Sequence, residues 1–162
     1  MPEADVRIGS GYDAHAFDPS RALVLGGVTI PGAPGLAGRS DADVVCHAVI
    51  DALLGAAALG DLGDHFPADA VPDGTSSIEL LRRTRALLDD AGYRPVNVDV
   101  TAVVQDVRVG PYRDEMRRRM AEAIGLDREA VSVKATTTDR LGFTGRGEGA
   151  EAMATVLVEE TR

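Results

Sequence analysis

The chain holds three histidines, at positions 15, 47 and 65, and two of them stand where a metal ion can be gripped. Asp13 and His15 close a stretch of strand-like residues that begins at Val6. Residues two apart on a strand point to the same face, so both side chains can reach one ion. His47 lies one turn into a helical pattern, with Asp43 and Asp51 four residues to either side. Carboxylates on that stripe can orient the imidazole or meet substrate hydroxyls. Asp13, His15 and His47 together make three ligands of the kind Zn²⁺ accepts, with a fourth position open as in catalytic zinc sites. A plainer reading also fits: a packed helical histidine beside Cys46 and an isolated Asp-x-His pair. Spacing alone leaves both readings open.

A second constellation follows Lys134: Ala135-Thr136-Thr137-Thr138-Asp139, then Gly142-Phe143-Thr144-Gly145-Arg146-Gly147-Glu148-Gly149. Three hydroxyls and a pliant backbone at the end of a strand can donate to phosphate oxygens. Asp139 can hold a hard cation such as Mg²⁺, which commonly takes one or two carboxylates together with phosphates. The Gly145-x-Gly147-x-Gly149 spacing is not a dinucleotide fingerprint, because it precedes a strand instead of opening a helix. A tight glycine turn capped by threonines remains the alternative.

These residues must be positioned by regular elements. Leu23-Val24-Leu25 and Val28-Thr29-Ile30 flank Gly26-Gly27 and read as one strand with a bulge or bend, followed by a loop from Pro31 to Gly35. Ser40, with Asp43 three residues on, is expected to cap a helix whose apolar residues recur from Val44 to Ala57 at three-and-four spacing. Residues 61–74 read as a Gly/Pro/Asp-rich loop. Ser76 with Glu79 opens a second helix that Gly92 stops. Residues 96–104 alternate as a half-buried strand. Pro111 can start a third helix with Met116, Met120 and Ile124 inward, Arg117-Arg118-Arg119 on its solvated face and Gly125 at its end. A short strand at 131–135, a loop at 136–149 and a last strand at 154–158 complete the chain. The order predicts an α/β (α+β) fold in one domain spanning 1–162, a two-layer sandwich with helices on one face of a mixed sheet. The other sheet face is left for a second subunit.

Composition bounds the function. Hydrophobic residues at 44% and charged residues at 27% describe a globular chain, and no apolar run approaches the length of a membrane span. Residues 1–5 show no leader pattern. Together with a lone Cys46, which excludes an internal disulfide, this points to the cytoplasm. A net charge of −9 disfavours nucleic acid as a partner. Three Tyr, three Phe and no Trp leave the core to Ala, Val, Leu and Ile, and such a chain gains from burying further surface between subunits.

Taken together, Arg7-Ile8-Gly9-Ser10-Gly11-Tyr12-Asp13-Ala14-His15, Ser40-Asp41-Ala42-Asp43-Val44 through His47, Asp51 through Gly63, Phe66-Pro67 and Lys134 through Gly149 resemble the 2-C-methyl-D-erythritol 2,4-cyclodiphosphate synthase family. The resemblance covers nearly the whole chain. It implies a cytidyl diphosphate substrate whose own 2-phosphate attacks its β-phosphorus, closing a cyclic diphosphate and releasing CMP. It assigns Zn²⁺ to Asp13, His15 and His47, and Mg²⁺ or Mn²⁺ to Asp139. Thr137 then acts in the transition state. Ser40, Asp61, Gly63, Phe66, Arg108, Thr136, Thr138, Phe143 and Arg146 bind substrate, and residues 104–110 form the cytosine pocket. It further implies a homotrimer with sites between adjacent chains and an isoprenoid diphosphate on the threefold axis.

The chain departs from the family pattern at three places. Arg39 precedes Ser40-Asp41-Ala42-Asp43 where the family has His before Ser-Asp-Gly-Asp, and it can replace that His as a bidentate phosphate donor. Val107-Arg108 stands for Pro-Lys, and Asp139 for Glu. Two other functions draw on the same residues. One is a trimeric module that binds isoprenoid diphosphates through Arg146. The other is a zinc phosphohydrolase with water as nucleophile. The joint presence of zinc ligands and threonine loop disfavours the first, and the lack of a candidate base other than the distant His65 disfavours the second.

Overall fold

A computed structural model describes residues 5–161; residues 1–4, on which most of the leader argument rests, lie outside it. Five strands form one mixed sheet in the order β2-β1-β5-β3-β4: β1 (Val6–Leu25), β2 (Val28–Leu36), β3 (Tyr93–Val103), β4 (Val131–Thr136) and β5 (Gly149–Glu160). All pairings are antiparallel except β3 with β4. The long helices are α1 (Val44–Ala56), α3 (Ser77–Asp90) and α4 (Arg113–Ile124); α2 (Leu62–His65) and α5 (Gly142–Gly145) are single turns. Among the described residues no helix is long and apolar enough to cross a membrane.

The sequence of β1 explains why α1 lies where it does. Side chains alternate along the strand, so Gly9, Gly11, Asp13 and His15 share one face. Gly9 and Gly11 bring the backbone of α1 into contact with the strand: a Cβ at either would sit 1.8 Å from the Ala52 carbonyl oxygen or 1.9 Å from that of Ala48. The register continues the thin surface across β5, where Gly11 faces Ala154 and Asp13 faces Ala152. The glycine pair that admits the helix and the Asp-x-His pair that meets it are therefore one motif on one strand face. On the opposite face Val6, Ile8, Tyr12 and Met153 are at least half exposed, Ile8 at 73%.

Several local expectations are corrected. Gly26-Gly27 is a hairpin turn, with both φ positive (57° and 77°) and Leu25 paired to Val28, instead of a bulge within one strand. Pro31 to Gly35 belongs to β2, an edge strand where a missing N–H is tolerated. The first strand runs on to Leu25 and the last begins at Gly149. Residues 61–74 contain α2, closed by a reciprocal capping box between Asp61 and Asp64, and the 136–149 loop contains α5. The third helix opens through a short 3₁₀ turn at Gly110–Tyr112. Met116, Met120 and Ile124 are fully buried, and Gly125 ends the helix at φ 72°. Arg117 is only partly solvated, since it donates to the Val131 carbonyl.

Asp43, not Ser40, caps α1. Its Oδ1 accepts from Val45, Cys46 and Gly26 N–H and its Oδ2 from Gly27 N–H, at 2.7–3.1 Å. One buried carboxylate thus ties the start of α1 to the β1–β2 turn. Burial pushes its pKa up, while those backbone donors pull against the shift. Asp43→Ala leaves up to four N–H groups without partners and is expected to cost about 3–5 kcal/mol. Urea unfolding checks this as a lower midpoint at unchanged slope.

Candidate active site

Asp13 and His15 project from β1 and His47 from α1, and the ligand atoms of all three lie within 4.8 Å of one another. Asp13 Oδ2 is 2.9 Å from both His15 Nε2 and His47 Nδ1. His15 Nδ1 lies 2.6 Å from the Ala37 carbonyl, which only accepts, so this nitrogen carries a hydrogen and Nε2 is left to face Asp13. Burial pushes the Asp13 carboxyl up, but hydrogen bonds from His15 and His47 outweigh it and hold the group at about 2. The Asp13 carboxylate in turn raises His15 above its ordinary value. The point where the three side chains converge therefore stabilises positive charge. Two imidazoles and one carboxylate, with one imidazole nitrogen already oriented by a backbone carbonyl, fit a divalent metal site with three protein ligands.

The triad opens into a cleft of about 440 Å³. Arg39, Ser40, Asp51, Asp61, Gly63 and Phe66 line it, and Leu80 adds an apolar wall. Asp51 accepts from Leu62 N–H at 2.7 Å, fixing α2 at the rim. Asp43 is taken up by the hairpin turn and the start of α1, so of the two carboxylates flanking His47 only Asp51 lines the cleft. Arg39 Nε is 3.0 Å from the Val71 carbonyl and 3.2 Å from Asp73 Oδ1, reaching across to the opposite wall. Phe66 is buried, with the Arg83 guanidinium 4.8 Å over its ring. His65 does not line the cleft; its Nε2 donates to the Leu59 carbonyl.

The other predicted residues lie elsewhere in the chain. Arg108, Thr136, Thr137, Thr138, Asp139, Phe143 and Arg146 do not line this cleft. Thr136 ends β4, the far edge strand, and the threonine loop follows it. Asp139 and Arg140 both adopt positive φ, 51° and 68°, in a turn where Thr138 Oγ1 donates to the Leu141 carbonyl. Arg140 makes a bidentate pair with Asp106 at 2.9 and 3.1 Å, binding the threonine loop to the 104–110 segment. Arg146 pairs with Glu148 at 3.0 Å.

Sequence reasoning missed two residues near the triad. The Arg21 guanidinium donates to the Gly38 and Ser40 carbonyls, on either side of Arg39. Ser77, read only as part of a helix start, is fully buried with Oγ 2.9 Å from His47 Nε2. No periodicity or motif marks either, since each meets its partner across a long sequence separation.

The YgbB family model matches residues 6–159. A 2-C-methyl-D-erythritol 2,4-cyclodiphosphate synthase from Moorella thermoacetica is 56% identical over 154 residues, covering 94% of both chains. Among solved structures, the bifunctional IspDF of Campylobacter jejuni superposes with a TM-score of 0.94 at 36% identity, over 98% of this chain and 43% of that one. The IspF of Plasmodium falciparum in complex with CDP gives 0.84 at 29% identity, over 99% of this chain and 100% of that one.

Proposed function

The chain belongs to the YgbB family, whose matched relatives are 2-C-methyl-D-erythritol 2,4-cyclodiphosphate synthases, and from that premise we propose how its own residues carry the reaction. The substrate is 4-diphosphocytidyl-2-C-methyl-D-erythritol 2-phosphate. An oxygen of its 2-phosphate bonds to the β-phosphorus, the bond from that phosphorus to the α–β bridging oxygen breaks, and CMP leaves with that oxygen. No water is consumed, so the chemistry is that of a phosphorus–oxygen lyase. The nucleophile is tethered to its target, and the protein's task is to fold the substrate and neutralise phosphate charge. The observation that carries the reading is the convergence of Asp13, His15 and His47 at a cleft also lined by Arg39, Ser40, Asp61, Gly63 and Phe66.

In this reading Asp13, His15 and His47 hold Zn²⁺, and Asp139 holds Mg²⁺ or Mn²⁺. Such cations, when bound, withdraw charge from the diphosphate oxygens. Ser40 and Arg39 meet the reacting phosphates, while Gly63 and Phe66 shape the methylerythritol pocket and Asp61 takes its hydroxyls. Thr137 donates to the phosphates as charge moves. Thr136, Thr138 and Phe143 support the phosphate end, and Arg108 serves the cytidine loop.

The threonine loop follows the far edge strand and lines no part of the triad's cleft, which supports assembly as a homotrimer; its proposed compartment is the cytoplasm. The zinc half of each site comes from one chain and the Thr137–Arg108 half from its neighbour. The apolar face bearing Ile8, Tyr12 and Met153 supplies surface to bury between them. Arg146 would approach its copies at the axis, where Glu148 offsets the like charges and an isoprenoid diphosphate has a cationic partner.

Phosphorus NMR of the reaction with and without chelator tests the function. CMP and a cyclic diphosphate are expected, and loss of both with chelator. An acyclic product would instead indicate hydrolysis, and no turnover a binding module. Arg39→Ala is expected to lower kcat roughly 10–100-fold with a smaller rise in KM, because a phosphate contact strengthens as charge develops. Steady-state kinetics showing a change in KM alone would reduce Arg39 to a ground-state binder.

A further inference from the structure

Ser77 Oγ lies between two groups: it donates to Asp41 Oδ1 and stands 2.9 Å from His47 Nε2. Asp41 is held for this task. Its Oδ2 accepts from Ser77 N–H at 3.0 Å and its Oδ1 from Asp43 N–H, while its own N–H donates to the Thr75 carbonyl. Ser76, the N-cap of α3, makes no side-chain cap bond, so the Asp41 carboxylate takes that place from across the fold. We propose that the Asp41–Ser77 pair is a positioning device that commits the Nε2–H of His47 and reserves Nδ1 for the metal site.

The reasoning is one of hydrogen bookkeeping. A carboxylate only accepts, so the single hydroxyl hydrogen of Ser77 goes to Asp41. What Ser77 presents to His47 is then a lone pair, and Nε2 must carry a hydrogen to meet it. When a cation is bound and the ring is neutral, the nitrogen left for it beside Asp13 and His15 is Nδ1, which stands 2.9 Å from Asp13 Oδ2. Ser40 cannot enforce this. Its Oγ, 3.1 Å from the same Nε2, accepts from Ala42 N–H, but among the described residues no acceptor commits its own hydrogen. Without Ser77 the Ser40 hydroxyl is free to donate to Nε2. The ring then keeps its hydrogen on Nδ1, donated to Asp13, and a cation must displace it. Such outer partners of metal-bound histidines typically govern affinity roughly 10–100-fold.

This inference rests on reading Asp13, His15 and His47 as a metal site, and the test separates the two. Zn²⁺ alone is titrated into wild-type protein, Ser77→Ala and Asp41→Asn against a chromophoric chelator. The Nε2–H of His47 is followed in the zinc-loaded proteins by ¹H–¹⁵N NMR. Wild type should show a downfield, slowly exchanging imidazole N–H. Ser77→Ala should bind Zn²⁺ roughly 10–100-fold more weakly and lose that signal's protection. Asp41→Asn should act in the same direction, and the double variant should be no weaker than Ser77→Ala alone, since Asp41 acts through Ser77. Should Ser77→Ala not fold, Asp41→Asn carries both readouts. Wild-type affinity in the variants would overturn the proposal, as would weaker binding with the N–H signal unchanged. A wild-type chain that takes up no Zn²⁺ would overturn the metal reading beneath it.

Discussion

Gly11→Ala is expected to separate the metal ligands and destabilise the protein together. The new Cβ would stand 1.9 Å from the Ala48 carbonyl oxygen and 2.7 Å from Ala52 N. The first distance is about 1.6 Å inside ordinary contact, and both atoms are helix backbone that no rotamer change can move. Helix α1 must back away from β1. Overpacking of this kind costs about 3 kcal/mol or more. The same displacement pulls His47, carried by α1, from Asp13 and His15, carried by β1, whose atoms now meet at 2.9 Å. Metal–ligand distances tolerate only about 0.2 Å, so zinc uptake should fall even in the fraction that folds. Gly55→Ala is the control. It lies in the same helix, and its Cβ would meet only the Ser10 carbonyl oxygen at 3.9 Å. Replacing an interior helical glycine there should stabilise by about 0.5–1 kcal/mol with zinc uptake unchanged. Thermal unfolding with and without Zn²⁺ distinguishes the two variants; equal behaviour would show that close approach of α1 is not what Gly11 provides.

How far the sequence could be read follows from which interactions are local. The helices α1, α3 and α4 and the strand β3 declare themselves by periodicity, since one face of each is buried and mostly apolar. The candidate metal triad is legible in part, because Asp13 and His15 share a strand face and His47 a helical stripe. Turns were harder. Gly26-Gly27 reads equally as a bulge or a hairpin until the partner strand is known, and β2 hides behind Pro31 and Pro34, which only an edge strand tolerates. The true cap of α1 was misread because Ser40 and Asp43 are both good caps by type. Asp43 wins because its second oxygen can also satisfy Gly27 across the hairpin, and Ser40 is drawn instead to His47. Ser77 and Arg21 meet the site over long separations, so no local pattern links them to it.

Mixing two inactive chains should restore about a quarter of wild-type activity if each site is built from two halves. His47→Ala removes a proposed metal ligand from α1 and should abolish turnover. Its ring, 8% exposed, faces the cleft. Thr137→Ala removes an exposed hydroxyl beyond β4 and should spare the fold. Within one chain these residues stand on opposite sides of β5 in the sheet order, His47 over β1 and Thr137 past the far edge strand. On the proposed homotrimer, a substrate that needs both is bound between chains. In a cyclic trimer each interface is heterologous, so the zinc edge of one chain meets the threonine edge of the next. When the two variants are unfolded together in equal amounts and refolded with zinc, half the zinc edges and half the threonine edges are intact. Random assembly pairs two intact edges at about a quarter of the interfaces. Each variant alone should stay inactive, because every interface then carries the same defect. Recovery near a quarter, read as CMP release, would establish the shared site. No recovery in demonstrably mixed trimers would place the whole site within one chain and require the threonine loop to move to the triad.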